Sequence, residues 1–242
     1  MLNGLDLFSG IGGMSIALSE WVRPIAYCEI DPYCQGVLLS KQSLGYIQSA
    51  PIWDDIRSFP HIFKDGYIDI IYGGFPCQDI SVAGRGKGLE GERSGLFFEI
   101  VRLAKEIKPK FIFLENVPAI CSRGGLRVAG KITALGYDCR WCVISADEFV
   151  DQKRNRWFLL AKLGSLRQSE RASERIQSLR NPSVDAQHSD YKLQDMESWA
   201  SYARSMRKDD GLSQRVDRIR ALGNAVVPAQ AREAFRILSG YQ

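Results

Sequence analysis

Residues 1–163 alternate short apolar runs with helix-like segments, and no other feature of the chain restricts its fold as tightly. The apolar runs fall at residues 4–9, 24–30, 67–74, 110–116, 137–145 and 156–163. Each is of strand length and rich in β-branched or aromatic residues. Between them lie segments of helical character at residues 14–21, around 33–40 and at 95–107. In the last of these, GLFFEIVRLAKEI, apolar positions recur at helical spacing, Lys105 and Lys108 fall at its end, and Pro109 closes it. Strands that alternate with helices pair in parallel, because a helix carries the chain back across the sheet before the next strand begins. The expected fold is α/β, a doubly wound, mostly parallel sheet with helices on both faces.

The pattern breaks after Leu163. Residues 164–214 are rich in Ser, Arg, Gln and Asp, poor in Val and Ile, and mixed in charge, which reads as a small, partly irregular insert. Apolar order resumes in RVDRIRALGNAVVPAQAREAFRILSGY, whose end from about Pro228 is an amphipathic helix. The expected organisation is one domain of residues 1–163 plus 215–242, with the insert at 164–214 packed across a cleft.

Composition adds exclusions rather than positive evidence. A net charge of +4 permits a nucleic-acid partner without requiring one. The opening MLNGLDLFSG lacks the basic stretch of a secretory signal, and no apolar run approaches the roughly 18 residues of a membrane helix. A cytoplasmic location with reduced thiols and no membrane partner is therefore expected. Cys139 and Cys142 form a C-x-x-C, but residues three apart on a strand point to opposite faces, and His61 and His188 are isolated. No metal is expected.

Four motifs carry chemistry. DLFSGIGG, residues 6–13, is a strand, a glycine turn and a helix start, a form that lets a cofactor approach the backbone closely. Glu29 ends the second apolar run, where an acid commonly binds ribose hydroxyls. These two features suit any nucleotide-like cofactor, NAD included, although the glycines do not follow G-x-G-x-x-G. Asp55 is placed to meet an adenine edge past a third strand. GGFPCQDIS, residues 73–81, sets Cys77 in a turn at the C-terminal edge of the sheet, where open α/β folds place their chemistry. The loop AGRGKGLEGERSG follows, cationic at Arg85, Lys87 and Arg93 and suited to closing over a phosphate backbone. Glu115 in ENV can hold or donate a proton if burial raises its proton affinity. Arg154 and Arg156, alternating at the start of a strand, face one side and can grip a base carbonyl or a phosphate.

Together DLFSGIGG, CEID, GGFPCQDIS, GERSGLFFEI, ENV, QKRNR and ALGNAVVP resemble the cytosine-5 DNA methyltransferase family of bacterial or phage type, in order and spacing, outside about fifty residues after Leu163. The resemblance implies a Rossmann-like methyltransferase fold, S-adenosylmethionine as cofactor, double-stranded DNA as partner and a bacterial host cell. It implies that Phe8, Gly10, Ile11 and Gly13 line the cofactor pocket, that Glu29 holds the ribose, and that Ile30 packs on the adenine. Asp55 and Ile56 then contact the adenine edge, and Gly74, Pro76, Leu96, Asn224 and Ala225 complete the pocket. Cys77 is implied as nucleophile and Glu115 as the group on the cytosine amino edge, with Arg154 and Arg156 positioning the base. Ser81, Arg85 and Arg93 are implied to touch the DNA backbone.

Two departures bear on this expectation. Asp151 stands where many relatives have proline before the Gln-x-Arg-x-Arg block. The insert at 164–214 is short for a target-recognition region, so the recognised site is expected to be brief or loose, or shared with a protein partner. Three other readings stay open: a tRNA-acting relative, although the Cys-Phe-Thr signature is missing; an inactive DNA-binding or partner-binding relative; and a nicotinamide-dependent oxidoreductase. The recognised sequence, the oligomeric state and an accompanying restriction enzyme are not legible in the chain.

Overall fold

The computed structural model describes residues 1–60, 62–76, 95–147, 149–150, 154–164, 217 and 221–241. In chain order its elements are β1 (Leu2–Leu7), α1 (Gly13–Ala17), β2 (Val22–Cys28), α2 (Pro32–Ser43), β3 (Ile52–Trp53) and β4 (Ile70–Gly74). There follow α3 (Gly95–Ile107), β5 (Phe111–Asn116), α4 (Ile120–Arg123), α5 (Gly125–Thr133), β6 (Tyr137–Ser145), β7 (Asn155–Leu163) and α6 (Pro228–Ser239). A 3-10 turn at Ile56–Ser58 follows β3.

The seven strands form one sheet in the order β3-β2-β1-β4-β5-β7-β6. The first five run parallel, and β7 pairs antiparallel with both β5 and β6. The antiparallel edge follows from the connection: only residues 146–154 separate β6 from β7, too few for the crossover a parallel pair needs, so the two strands meet as a hairpin. The chain order reverses at β1/β4, and the C-terminal ends of these strands flank a crevice where open α/β sheets bind ligands.

Both sheet faces are covered, which explains the near-continuous apolar runs. Along β4 and β5 the side chains alternate between two cores. Ile71, Ile112 and Leu114 face α3 and α5, packing with Ile100, Leu103, Val128 and Ile132. Ile70, Tyr72 and Phe113 face α1 and α6, packing with Met14, Ala17, Ala231 and Phe235. Phe113 stacks on Phe158 at 5.7 Å and meets Phe235 edge-on at 5.2 Å. Burying each such side chain contributes about 1.5–3 kcal/mol. Cys139 belongs to the first core and Cys142 to the second, so the two thiols point to opposite faces.

The helix expected at residues 14–21 is shorter, Gly13–Ala17. Leu18 leaves helical geometry, and the turn to β2 closes through Trp21 N–H to the Leu18 carbonyl. In β2, Pro24 has no N–H to give the ladder, and the pairing with β1 steps from Gly4↔Pro24 to Leu5↔Ala26. The helix α3 spans the expected residues, and Lys108 at φ 51 turns the chain out of it before Pro109. The expected C-terminal helix is α6, with Pro228 at its start and Gly240 in left-handed geometry (φ 74) as its cap. It packs on α1, β6 and β7 and so rejoins the sheet built by residues before 164. Helices α4 and α5 had no distinct sequence expectation. Of the insert at 164–214 only Gly164 is among the described residues. Among those residues no helix is long and apolar enough to cross a membrane.

Candidate active site

At the C-terminal ends of β1, β2, β4 and β5 lies a cavity of about 480 Å³. The glycine turn after β1 forms one wall. Phe8 and Gly10 both have φ of 53 and Gly12 has φ of 83. A left-handed phenylalanine is uncommon and is held here by its surroundings: Ser9 N–H donates to the Cys28 carbonyl at 3.1 Å, and Gly12 N–H to the Ser9 carbonyl at 2.8 Å. Gly13 opens α1 with no room to spare, since a Cβ there would sit 2.9 Å from Val226 Cγ1 and 3.0 Å from the Val226 carbonyl oxygen. The glycine requirement thus comes from the distant C-terminal segment.

Beneath the turn lie two buried charges. Asp6 is fully buried at the end of β1, and its carboxylate accepts from Ser15, whose hydroxyl also meets Tyr72 at 2.8 Å. Burial pushes Asp6 up to about 7, against the pull of Ser15 and Ser9. Lys41, almost wholly buried in the last turn of α2, donates from Nζ to the Ile11 carbonyl at 2.5 Å. Burial pulls it down to about 8. Neither role had a signal in the sequence.

Glu29, one residue past β2, is fixed by the main chain. Its Oε2 accepts from Gly10 N–H at 2.7 Å and its Oε1 from Asp31 N–H at 2.8 Å. Burial raises its proton affinity while those N–H groups lower it. Each carboxylate oxygen can accept a further hydrogen bond, and the residue lines the cavity. Beside it, Ile30 is 64% exposed although apolar, a surface available to a flat ligand. Asp55 lines the same space, but its carboxylate caps the 3-10 turn and holds Arg57 at 2.7 Å, which keeps it below the ordinary carboxylate range. A contact from Asp55 to an adenine would therefore compete with Arg57.

Glu115 lies one residue before the end of β5 and is 9% exposed. Its Oε1 takes the Arg156 guanidinium at 2.6 Å. Burial nonetheless pushes the carboxyl up to about 7, with Arg156 and then Arg154 pulling against it. Gly74 leaves room for this side chain, since a Cβ there would lie 2.6 Å from Glu115 Oε2. Arg156 is in β7. Arg154 precedes the strand and donates from Nη1 to the Gly223 carbonyl at 2.7 Å, while its Nε and Nη2 are buried with no partner among the described residues. Asn116, unremarked in sequence, donates to the Phe75 carbonyl at 2.9 Å and accepts from Val117 N–H at 2.8 Å. It ties the end of β5 to Phe75–Pro76, the two residues that lead into Cys77.

Every expected cofactor residue lines this one cavity: Phe8, Gly10, Ile11, Gly13, Glu29, Ile30, Asp55, Ile56, Gly74, Pro76, Leu96, Asn224 and Ala225. Glu115 and Arg156 line it too. Asn116, Phe75 and Val226 also belong to it and were not foreseen. Cys77, Ser81, Arg85, Arg93 and Asp151 lie outside the described residues.

The family model for C-5 cytosine-specific DNA methylase matches residues 2–210. The chain is 32% identical over 233 residues to the type II methyltransferase M.CviJI of Paramecium bursaria Chlorella virus IL3A, covering 96% of this chain and 58% of that protein. It is 33% identical over 165 residues to the type II methyltransferase M.HhaI of Haemophilus parahaemolyticus, covering 66% and 48%. The chain thus spans about half the length of these curated relatives. The crystal structure of S. pombe Dnmt2 methyltransferase shares the fold, with a TM-score of 0.55 and 19% identity over 84% of this chain and 67% of that one.

Proposed function

The chain belongs to the C-5 cytosine-specific DNA methylase family, and on that premise we propose that it transfers a methyl group from S-adenosylmethionine to carbon 5 of cytosine in duplex DNA. One observation carries the proposal. The glycine turn and Glu29 open onto the same cavity as Glu115 and Arg156, beside the Phe75–Pro76 lead into Cys77. A site for a ribose and a buried acid poised near neutrality thus share one space.

The donor set suits S-adenosylmethionine. Glu29 keeps acceptor capacity for ribose hydroxyls, Ile30 and Leu96 offer apolar surface, and Gly10, Ile11 and Gly13 let a ligand reach the backbone. Phe8, Ile56, Gly74, Pro76, Asn224 and Ala225 complete the enclosure, with Asp55 at its rim. Bound there, S-adenosylmethionine supplies an electrophilic methyl group on its sulfonium.

Carbon 5 of cytosine is a weak nucleophile until the ring is activated. The Cys77 thiolate adds to carbon 6, and the electron pair released from the 5,6 double bond makes carbon 5 nucleophilic. Glu115 in its protonated form donates to ring nitrogen 3 as charge develops there, and Arg156 holds the carboxylate that results. Arg156, which lines the cavity, presents guanidinium donors to the base carbonyl, while Arg154 is held by the Gly223 carbonyl and adds its charge near Glu115. Once carbon 5 is methylated, a water takes its proton, the double bond is restored, Cys77 leaves as thiolate, and ring nitrogen 3 returns its proton to Glu115. The target base leaves the stack to reach these groups, at a cost of about a few kcal/mol. Ser81, Arg85 and Arg93 hold the DNA backbone in this reading. The insert at 164–214 reads the target, alone over a short site or with a protein partner.

The test follows labelled methyl from S-adenosylmethionine into unmethylated DNA of mixed sequence and identifies the modified nucleoside. The expected product is 5-methylcytosine, abolished in Cys77→Ala, which still binds the cofactor as the wild type does. Label in another base, or full activity in Cys77→Ala, refutes the proposal.

A further inference from the structure

Gln230 sits in the first turn of α6, fully buried and outside the cavity lining. Its side-chain nitrogen donates twice, to the Ile144 carbonyl at 2.7 Å and to the Arg154 carbonyl at 2.8 Å. Those carbonyls lie on the two sides of the β6–β7 hairpin at its turn end, beside the pairs Ile144 with Arg156 and Ser145 with Asn155. Two carbonyl acceptors fix which way the amide faces, since only its nitrogen can donate to both. Its oxygen is buried with no partner among the described residues.

That orphan oxygen is informative. The amide leaves one buried acceptor unsatisfied in order to make two donor bonds, which a methionine or leucine of similar volume would forgo. What the amide does is local to Arg154. The Gly223 carbonyl takes the Arg154 side chain, while the Arg154 carbonyl accepts both from Ala146 N–H at 2.9 Å and from Gln230. Two residues on, Arg156 reaches Glu115. A strand start tethered at this point holds the Arg156 guanidinium on the carboxyl and keeps the Arg154 charge close enough to bear on it.

We infer that Gln230 is a positioning residue, clamping the main chain at Arg154 so that Arg156, two residues on, stays on Glu115 and the Arg154 charge stays near it. The inference deepens the methyl-transfer reading of this site, but its first readout does not depend on that reading. Among the described residues the charged groups that bear on Glu115 are Arg156, in β7, and Arg154, just before it. Loosening the clamp weakens their pull, so the Glu115 carboxyl then holds its proton to higher pH.

The experiment titrates Glu115 by carbon-13 NMR in the full chain labelled at glutamate, its resonance identified by loss in Glu115→Gln. In Gln230→Met the midpoint is expected to rise by roughly half a pH unit or more, about threefold in proton affinity. With DNA as substrate, kcat is expected to fall about tenfold while S-adenosylhomocysteine binds within about twofold of wild type, because misplacing a catalytic group slows chemistry without emptying the cofactor site. An unchanged midpoint in folded Gln230→Met overturns the inference, whatever the activity. If Gln230→Met does not fold, Gln230→Asn takes its place, being a methylene too short to reach both carbonyls, and an unchanged midpoint there overturns it equally. A wild-type chain that transfers no methyl but whose Glu115 midpoint still shifts in Gln230→Met keeps the clamp and removes the proposed function.

Discussion

Replacing Glu115 with glutamine removes one ionisation at nearly constant volume, and the position of the group makes the consequence calculable. In the folded chain burial pushes this carboxyl from 4.5 up to about 7, even with Arg156 at 2.6 Å. A carboxyl whose proton affinity is higher folded than unfolded binds more protons in the native state, so its contribution to stability is full below about pH 4.5 and is lost as pH rises towards 7. The gap between 4.5 and about 7, at about 1.4 kcal/mol per pH unit, amounts to about 3 kcal/mol. Glutamine has no such pH dependence. Relative to wild type, Glu115→Gln is therefore expected to gain about 3 kcal/mol between pH 4 and pH 8. Removing the partner of Arg156 adds an offset, but the guanidinium stays charged over that range and the offset is flat. Asp6, also pushed up to about 7, tilts both chains alike and cancels in the difference. The assay is urea unfolding at fixed ionic strength across that range, followed by tryptophan fluorescence, with Trp157 buried at 1% exposure as a core reporter. A difference between the chains that stays constant with pH refutes the reasoning. It would mean that Arg156 keeps Glu115 ionised throughout and that the carboxyl is no proton donor at neutral pH. In the same variant methyl transfer is expected to fall by about 10² or more, so the residue that costs stability above neutrality is one that activity needs.

Two further substitutions test the cofactor side of the cavity. Gly13→Ala places a methyl group 3.0 Å from the Val226 carbonyl, which pushes the 221–227 segment off the cavity. S-adenosylhomocysteine affinity is expected to drop about tenfold by calorimetry, as for about 1.4 kcal/mol of lost contact, and unaltered affinity means that the segment does not close on the ligand. Glu29→Ala removes the acceptor of Gly10 and Asp31 N–H groups as well as the ribose partner. Cofactor affinity is expected to fall about 10-fold to 100-fold, as for a charge-assisted hydrogen bond of about 1.5–3 kcal/mol, and thermal stability should fall with it. Retained affinity in that variant removes Glu29 from the site.

Much of the scaffold was legible because its causes are local. The apolar run at 137–145 and the segment 95–107 became β6 and α3 with unchanged limits, since strand alternation and helical periodicity act within a few residues. Residues 14–21 misled because their apolar content suits a helix, while the end at Ala17 is set by the return of the chain to pair β2 with β1. Glu29, Glu115 and the glycine turn could be found because each occupies a strand end, a place that sequence marks.

By itself the sequence determined an α/β sheet, the edge at which its chemistry gathers and the residue types gathered there, because spacing along one chain suffices for each. The polar positioning was decided only in three dimensions. Asn116 finds the Phe75 carbonyl 41 residues away, and Gln230 finds Ile144 at a separation of 86. The near-neutral poise of Glu115 likewise exists only once β5, β7 and the cavity wall exclude water around it. A hydrogen bond to a remote backbone carbonyl leaves no periodicity and no motif, since every residue offers the same carbonyl and only folding selects which one is near.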